Sequence, residues 1–226
     1  MIYSMLLFDL DGTLVDSVEG LQIASAAAAE CVGAGTPSLE FVRNAIGRGV
    51  DRLIHRVCST RQDGEIPNDL HRIARARFDA VYLEACLSGT SLRNGVEDSL
   101  RDFRLEGRRV VVATNKPRGP AEVIIDHLGL DGLIDALVCP EDAGVRKPDP
   151  AFIGHALGTA RKSEAILVGD SSIDAESARL ADIPFLAIRG GYDEGRRIDD
   201  RIPCPDLIVD EPRDLPEAVR ALESRR

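Results

Sequence analysis

Five apolar runs in the second half of the chain, each separated from the next by a helix-like stretch, constrain the fold more than any other feature. They are Val110 to Ala113, Leu133 to Val138, Ala165 to Val168, Pro184 to Ile188 and Leu207 to Val209. A strand that is apolar at every position must be covered on both faces, and short runs of this kind alternating with helices are the pattern of a parallel α/β sheet. Met5 to Phe8, near the N-terminus, reads as one more buried strand. The expected fold is therefore an α/β doubly wound parallel sheet.

The stretch between Asp16 and about Ser88 breaks this rhythm. Ala24 to Ala29, Phe41 to Ile46, Val50 to Val57 and Leu70 to Leu87 read as helices, punctuated by Gly33, Gly35, Pro37, Gly64 and Pro67. The expected organisation is a core made of residues 1–15 and 89–226, with a helical cap of residues 16–88 inserted after the first strand.

Composition narrows the function classes. A length of 226 residues permits one large domain or two smaller ones, since domains commonly hold about 100 residues or more. A formal net charge of −10 opposes long-range attraction to nucleic acid or anionic membranes. A small anion remains an acceptable ligand where cations are gathered locally. The five cysteines are odd in number, scattered and never in a CxxC pair, which argues against a disulfide framework or a zinc site. There is no basic leader and no run of about 18 apolar residues, so a cytoplasmic location is the default expectation. Oligomeric state has no signature in the sequence.

In open parallel sheets, ligands collect beyond the carboxyl ends of the strands, near the point where strand order reverses. The residues just after the apolar runs are Asp9 and Asp11, then Thr114 and Asn115, then Gly169 and Asp170, with Lys147 in the loop after Leu133 to Val138. Asp9 and Asp11 stand one residue apart, and neighbouring carboxylates need a cation, a shared proton or open water to stay ionised. Asp170 and Asp174 are four apart, and both can face one pocket if a helix starts at Ser171 or Ser172. Magnesium, which takes octahedral oxygen ligands and retains several waters, suits a site of few carboxylates. Thr114 and Asn115 offer a hydroxyl and an amide to a phosphate oxygen. Lys147 supplies a compact positive charge, and Lys116 is its nearest rival for holding phosphate.

Taken in order, DLDGT, TN, the lysine of VRKPDP and GDSSID resemble the four signature stretches of the haloacid dehalogenase superfamily. Singly each is a turn or a helix start; their order and placement at strand ends make the combination specific. The resemblance implies a phosphoryl-transfer enzyme in which Asp9 is the nucleophile and forms an aspartyl-phosphate. It implies magnesium held by Asp9, the backbone carbonyl of Asp11 and Asp170, with Asp174 acting through water. Asp11 would protonate the leaving oxygen and later activate water, and Lys147 would hold Asp9 ionised and neutralise the phosphoryl group.

Within the superfamily, Asp11 argues against carbon–halogen hydrolysis. Residues 16–88 contain no lysine, which argues against a Schiff-base mechanism on phosphonoacetaldehyde. AIGRGVDRLIHRV, TSLRNGVEDSL and GGYDEG resemble segments of the phosphoglycolate phosphatase group. The implied substrate is a small phosphorylated metabolite, with a sugar phosphate, nucleotide or pyrophosphate as alternatives to phosphoglycolate. A β-phosphoglucomutase-like isomerase, a receiver domain and a silent binding protein are rival readings. Because phosphoglycolate carries a carboxylate, a cap guanidinium is its expected partner: Arg48, with Arg43 and Arg52 as rivals. Hinges are expected near Asp16 and Gly89.

Overall fold

A computed structural model describes residues 1–200 and 203–225. In chain order its elements are β1 (Met5–Phe8), β2 (Val15–Asp16), α1 (Val18–Cys31), α2 (Leu39–Ala45), α3 (Val50–Ser59), α4 (Asn68–Ser88) and β3 (Ser91–Leu92). They continue with α5 (Val96–Leu105), β4 (Arg109–Ala113), α6 (Arg118–His127), β5 (Ala136–Val138), α7 (Pro140–Ala143) and α8 (Pro150–Leu157). The last are β6 (Ala165–Gly169), α9 (Ser172–Ala181), β7 (Phe185–Ile188), β8 (Leu207–Val209) and α10 (Leu215–Ser224).

Six strands form one parallel sheet in the order β5-β4-β1-β6-β7-β8. Side chains alternate between its faces, and each face has its own core. Leu6, Phe8, Val110, Val112, Ile166 and Val168 pack on one side, with Leu100 and Phe103 of α5 and Ile124 of α6. Met5, Leu7, Val111, Ala165 and Leu167 pack on the other, with Phe152 of α8 and Ala178 of α9. This double burial is why the strands read as unbroken apolar runs. Strand order turns at β1, which pairs with β4 on one side and with β6 on the other.

The run beginning at Leu133 is shorter as a strand than expected. The N–H groups of Leu133 and Ile134 both donate to the carbonyl of Leu130, closing a turn that delays β5 until Ala136.

Helices α1 to α4 lie between β2 and β3. The helices α1 and α4 approach closely because Gly20 has no side chain: a Cβ there would lie 2.7 Å from the carbonyl oxygen of Ala85. The chain leaves the sheet and returns through one place, where β2 and β3 pair antiparallel with Asp16 opposite Ser91. The Gly20 N–H donates to the Gly89 carbonyl just beyond that pair, at 3.1 Å. No helix among the described residues is long and apolar enough to cross a membrane.

Candidate active site

Strand β1 delivers Asp9 to its carboxyl end, where the Asp9 N–H donates to the Val168 carbonyl of β6 at 2.9 Å. Strand β6 delivers Asp170 to the same rim, and Ser171 caps the N-terminus of α9 so that Asp174 faces back toward the sheet. Carboxylate oxygens of Asp9, Asp170 and Asp174 lie within 4.8 Å of one another. The ammonium of Lys147 bridges two of them, 2.8 Å from Asp9 Oδ1 and 2.7 Å from Asp174 Oδ1.

The remaining acceptor sites of these carboxylates are partly filled by the protein. Thr13 Oγ donates to Asp170 Oδ1 at 2.5 Å, and the Tyr192 N–H to Asp170 Oδ2 at 2.6 Å. Ser171 donates to Asp174 Oδ2 from both its hydroxyl, at 2.6 Å, and its backbone, at 3.2 Å. Space beside Asp170 is tight: a Cβ on Gly12 would fall 2.4 Å from its Oδ2, and Gly12 also has a φ of +89°, where only glycine rests without strain.

Three carboxylates against one ammonium leave an excess of negative charge. Burial pushes the Asp9 carboxyl up to about 6, against the pull of Lys147, with Asp174 adding to the rise. Burial, Asp174 and Asp9 raise Asp170 well above the ordinary carboxylate range. Burial opposes the charge on Lys147, yet Asp174 and Asp9 outweigh it and raise its pKa. With all three carboxylates ionised the cluster is two charges short of neutrality, and its hard oxygen donors fit a divalent cation such as magnesium.

Asp11 turns away from that cluster. Its Oδ1 accepts from Ser17 Oγ at 2.5 Å and from Lys116 Nζ at 2.9 Å. Lys116 in turn donates to the hydroxyl of Tyr82, which α4 projects from the helical layer. Lys116 therefore serves Asp11 here, whereas the sequence had placed it as a rival of Lys147 at the phosphate.

Thr114 is buried at the end of β4, and its hydroxyl accepts the Lys116 N–H at 3.1 Å. Asn115 departs from expectation. Its amide is engaged with the backbone of Lys147, accepting from the N–H at 2.8 Å and donating to the carbonyl at 3.1 Å. The side chain expected at a phosphate oxygen instead fixes the loop that carries the lysine.

One cavity gathers these groups: Asp9, Asp11, Thr114, Asn115, Lys116, Lys147 and Asp170 line it from the sheet, and Ile46, Gly47, Gly49, Val50, Leu53 and Tyr82 from the helical layer. It leaves about 60 Å³ for the centres of water molecules, a few times the roughly 10–15 Å³ that one water needs.

The three arginines expected at the substrate are not brought to this cavity. Arg43 pairs with Asp16 at 3.2 Å and lies over the Tyr192 ring. Arg48, half exposed, pairs with Glu194 at 3.0 Å, and Arg52 donates to the carbonyls of Gly64 and Gln62. Helical periodicity marks a face as polar without saying which carboxylate or carbonyl will meet it: distant carboxylates claim Arg43 and Arg48, and the turn that follows α3 claims Arg52.

Sequence reasoning missed Thr13, Tyr82 and Tyr192. Tyr192 links the Asp170 carboxylate to the root of the helical layer: its hydroxyl donates to Asp16 and accepts from the N–H groups of Ser17, at 2.8 Å, and Val18, at 3.1 Å. GGYDEG was its only signal, two glycines that allow close approach beside a residue able to donate at both ends. A Cβ on Gly191 would lie 2.1 Å from Asp170 Oδ2.

Residues 6–188 match the model of the haloacid dehalogenase-like hydrolases, and the chain belongs to that family. Among curated relatives, a phosphoglycolate phosphatase of Cereibacter sphaeroides is 38% identical over 187 residues, 82% of this chain and 84% of its own. Another, from Nitrosococcus oceani, is 32% identical over 209 residues, 91% of this chain and 92% of its own. The crystal structure of a protein described as a predicted phosphoglycolate phosphatase from Haemophilus somnus superposes with a TM-score of 0.87 at 26% identity, covering 96% of this chain and 98% of that one.

Proposed function

We propose that this phosphatase hydrolyses a small phosphomonoester through an aspartyl-phosphate on Asp9, with phosphoglycolate as the substrate. The observation that carries the reading is Asp9 itself: a carboxylate at the rim of the central strand, facing the cavity, with Lys147 on its Oδ1 and Asp170 and Asp174 within reach of a shared cation. The named relatives and the small cavity support the choice of substrate.

Asp9 attacks phosphorus in line, the ester bond breaks, and the leaving oxygen takes a proton from Asp11. Asp11 then accepts a proton from water as that water attacks the aspartyl-phosphate, releasing inorganic phosphate and restoring Asp9. Lys147, fixed by Asn115, sets its charge beside the transferring group, and Thr114 offers its hydroxyl to a phosphoryl oxygen. Magnesium bound by Asp9, the Asp11 carbonyl and Asp170, with Asp174 through water, would supply the positive charge that gathers the phosphoryl oxygens. Residues 16–88 act as a cap that shields the reacting groups from bulk water.

The test is a phosphate-release panel of phosphoglycolate, sugar phosphates, nucleotides and pyrophosphate, with and without magnesium. The reading expects metal-dependent release, fastest on phosphoglycolate, and its loss in Asp9→Asn. Full activity in that variant removes Asp9 from the nucleophile's role; a sugar isomer formed without phosphate release identifies a mutase instead.

A further inference from the structure

Of the side chains lining the cavity, two are cationic among the described residues, Lys116 and Lys147. Lys147 is committed to Asp9 and Asp174. Lys116 is almost wholly buried, and its ammonium has three N–H donors but two protein acceptors, Asp11 Oδ1 and the Tyr82 hydroxyl. The Tyr82 hydroxyl accepts from Lys116 and has no protein acceptor for its own proton among the described residues. Two adjacent donors, one of them charged, therefore border the cavity with no acceptor among the described residues, and face whatever the cavity holds.

Their position relative to Asp11 indicates what they receive. If Asp11 protonates the leaving oxygen, whatever the leaving group carries next must lie beside Asp11's neighbours. In a 2-phospho carboxylic acid the carboxyl carbon is two covalent bonds from that oxygen, about 2.5 Å away. Lys116 stands 2.9 Å from Asp11 Oδ1. The anionic end of such a substrate thus falls next to Lys116 and Tyr82, whereas Arg43, Arg48 and Arg52 are engaged outside the cavity.

We propose that Lys116, together with the hydroxyl of Tyr82, is the specificity-determining cation of this enzyme and holds the carboxylate of the leaving group. A charged N–H reaches one carboxylate oxygen and the phenolic O–H the other, and Leu21, Val50 and Leu53, which line the same cavity, offer no polar group to compete for it. The same ammonium keeps Asp11 in place, so one side chain couples recognition of the leaving group to its protonation. This inference rests on the phosphatase reading above and names the determinant of its substrate class.

The experiment compares kcat/KM for phosphoglycolate with that for 2-hydroxyethyl phosphate, which replaces the carboxylate by a neutral CH2OH. Wild type should prefer phosphoglycolate. Lys116→Met should slow both esters by disturbing Asp11, and should cost phosphoglycolate about 10- to 100-fold more, the range for a charge-assisted hydrogen bond. Tyr82→Phe, which removes one oxygen and leaves Lys116 on Asp11, should narrow the preference several-fold, chiefly through KM. Equal losses on both esters in Tyr82→Phe, or an undiminished preference in a folded Lys116→Met, overturn the proposal while leaving the phosphatase reading intact. Absence of phosphate release by wild type from any ester of the panel defeats that reading and this one with it.

Discussion

The N–H of Tyr192 donates to Oδ2 of Asp170 at 2.6 Å, and the hydroxyl at the other end of the same residue holds Asp16, where the chain departs for the helical layer. Arg43, from α2, closes over the ring and reaches the second oxygen of Asp16. Burial alone would raise the Asp16 carboxyl; Tyr192, the Val18 N–H and Arg43 together hold it below its ordinary value. One residue thus ties a carboxylate of the candidate metal cluster to the base of the helical layer.

Tyr192→Phe is expected to leave the ring in place while stranding the buried N–H of Ser17, whereas the Val18 N–H keeps Asp16 Oδ1 at 3.3 Å. A stranded donor costs about 1–3 kcal/mol, so the melting temperature should fall and amide exchange at Ser17 should accelerate. Unchanged protection at Ser17 would show that the hydroxyl is dispensable there.

Asn115→Ala removes both bonds to the Lys147 backbone. At about 0.5–1.5 kcal/mol per bond, the folded state should lose roughly 1–3 kcal/mol, and phosphate release should slow because Lys147 is no longer fixed. If Asn115 instead contacts phosphate directly, inhibition by inorganic phosphate weakens sharply with little change in melting temperature, which is the contrary result.

The raised carboxyl of Asp9 gives a pH dependence with a definite sign. Its pKa rises from 3.8 to about 6 in the folded, metal-free protein, chiefly through burial. Folding therefore favours the protonated form: this contribution to stability is full below 3.8 and is lost as the pH passes through about 6. A divalent cation must displace that proton, so magnesium affinity should climb across the same interval, and the thermal shift it produces should be larger at pH 7 than at pH 5. Calorimetry in buffers of differing ionisation enthalpy should detect proton release at pH 5. Affinity that is flat or falls with pH contradicts the assignment.

How much of this was legible in the sequence follows from how each part is encoded. Strands β4, β6, β7 and β8 were readable because burial on both faces writes a continuous apolar run. Strands β2 and β3, of two residues each, carry no periodicity, and the turn at Leu130 shortens β5 by a backbone choice that apolar side chains do not report. Asp9 and Asp170 were readable because sheet topology carries strand ends to one rim, and Asp174 because a helix starting just after Asp170 turns it toward the same place. Asn115, Tyr82 and Tyr192 owe their contacts to partners far away in the chain, and local pattern holds no record of which atom a side chain will meet. Arg43 and Arg48 were misplaced for the same reason: Asp16, 27 residues away, and Glu194, 146 residues away, claim them.

The antiparallel pair at Asp16 and Ser91 brings the two ends of the helical insertion about 5 Å apart. To the core, seventy-odd residues of intervening chain are therefore equivalent to a short hairpin. The insertion thus leaves the register of the sheet undisturbed, and it meets the catalytic rim through residues that fold back over it, as Tyr82 does where it receives Lys116.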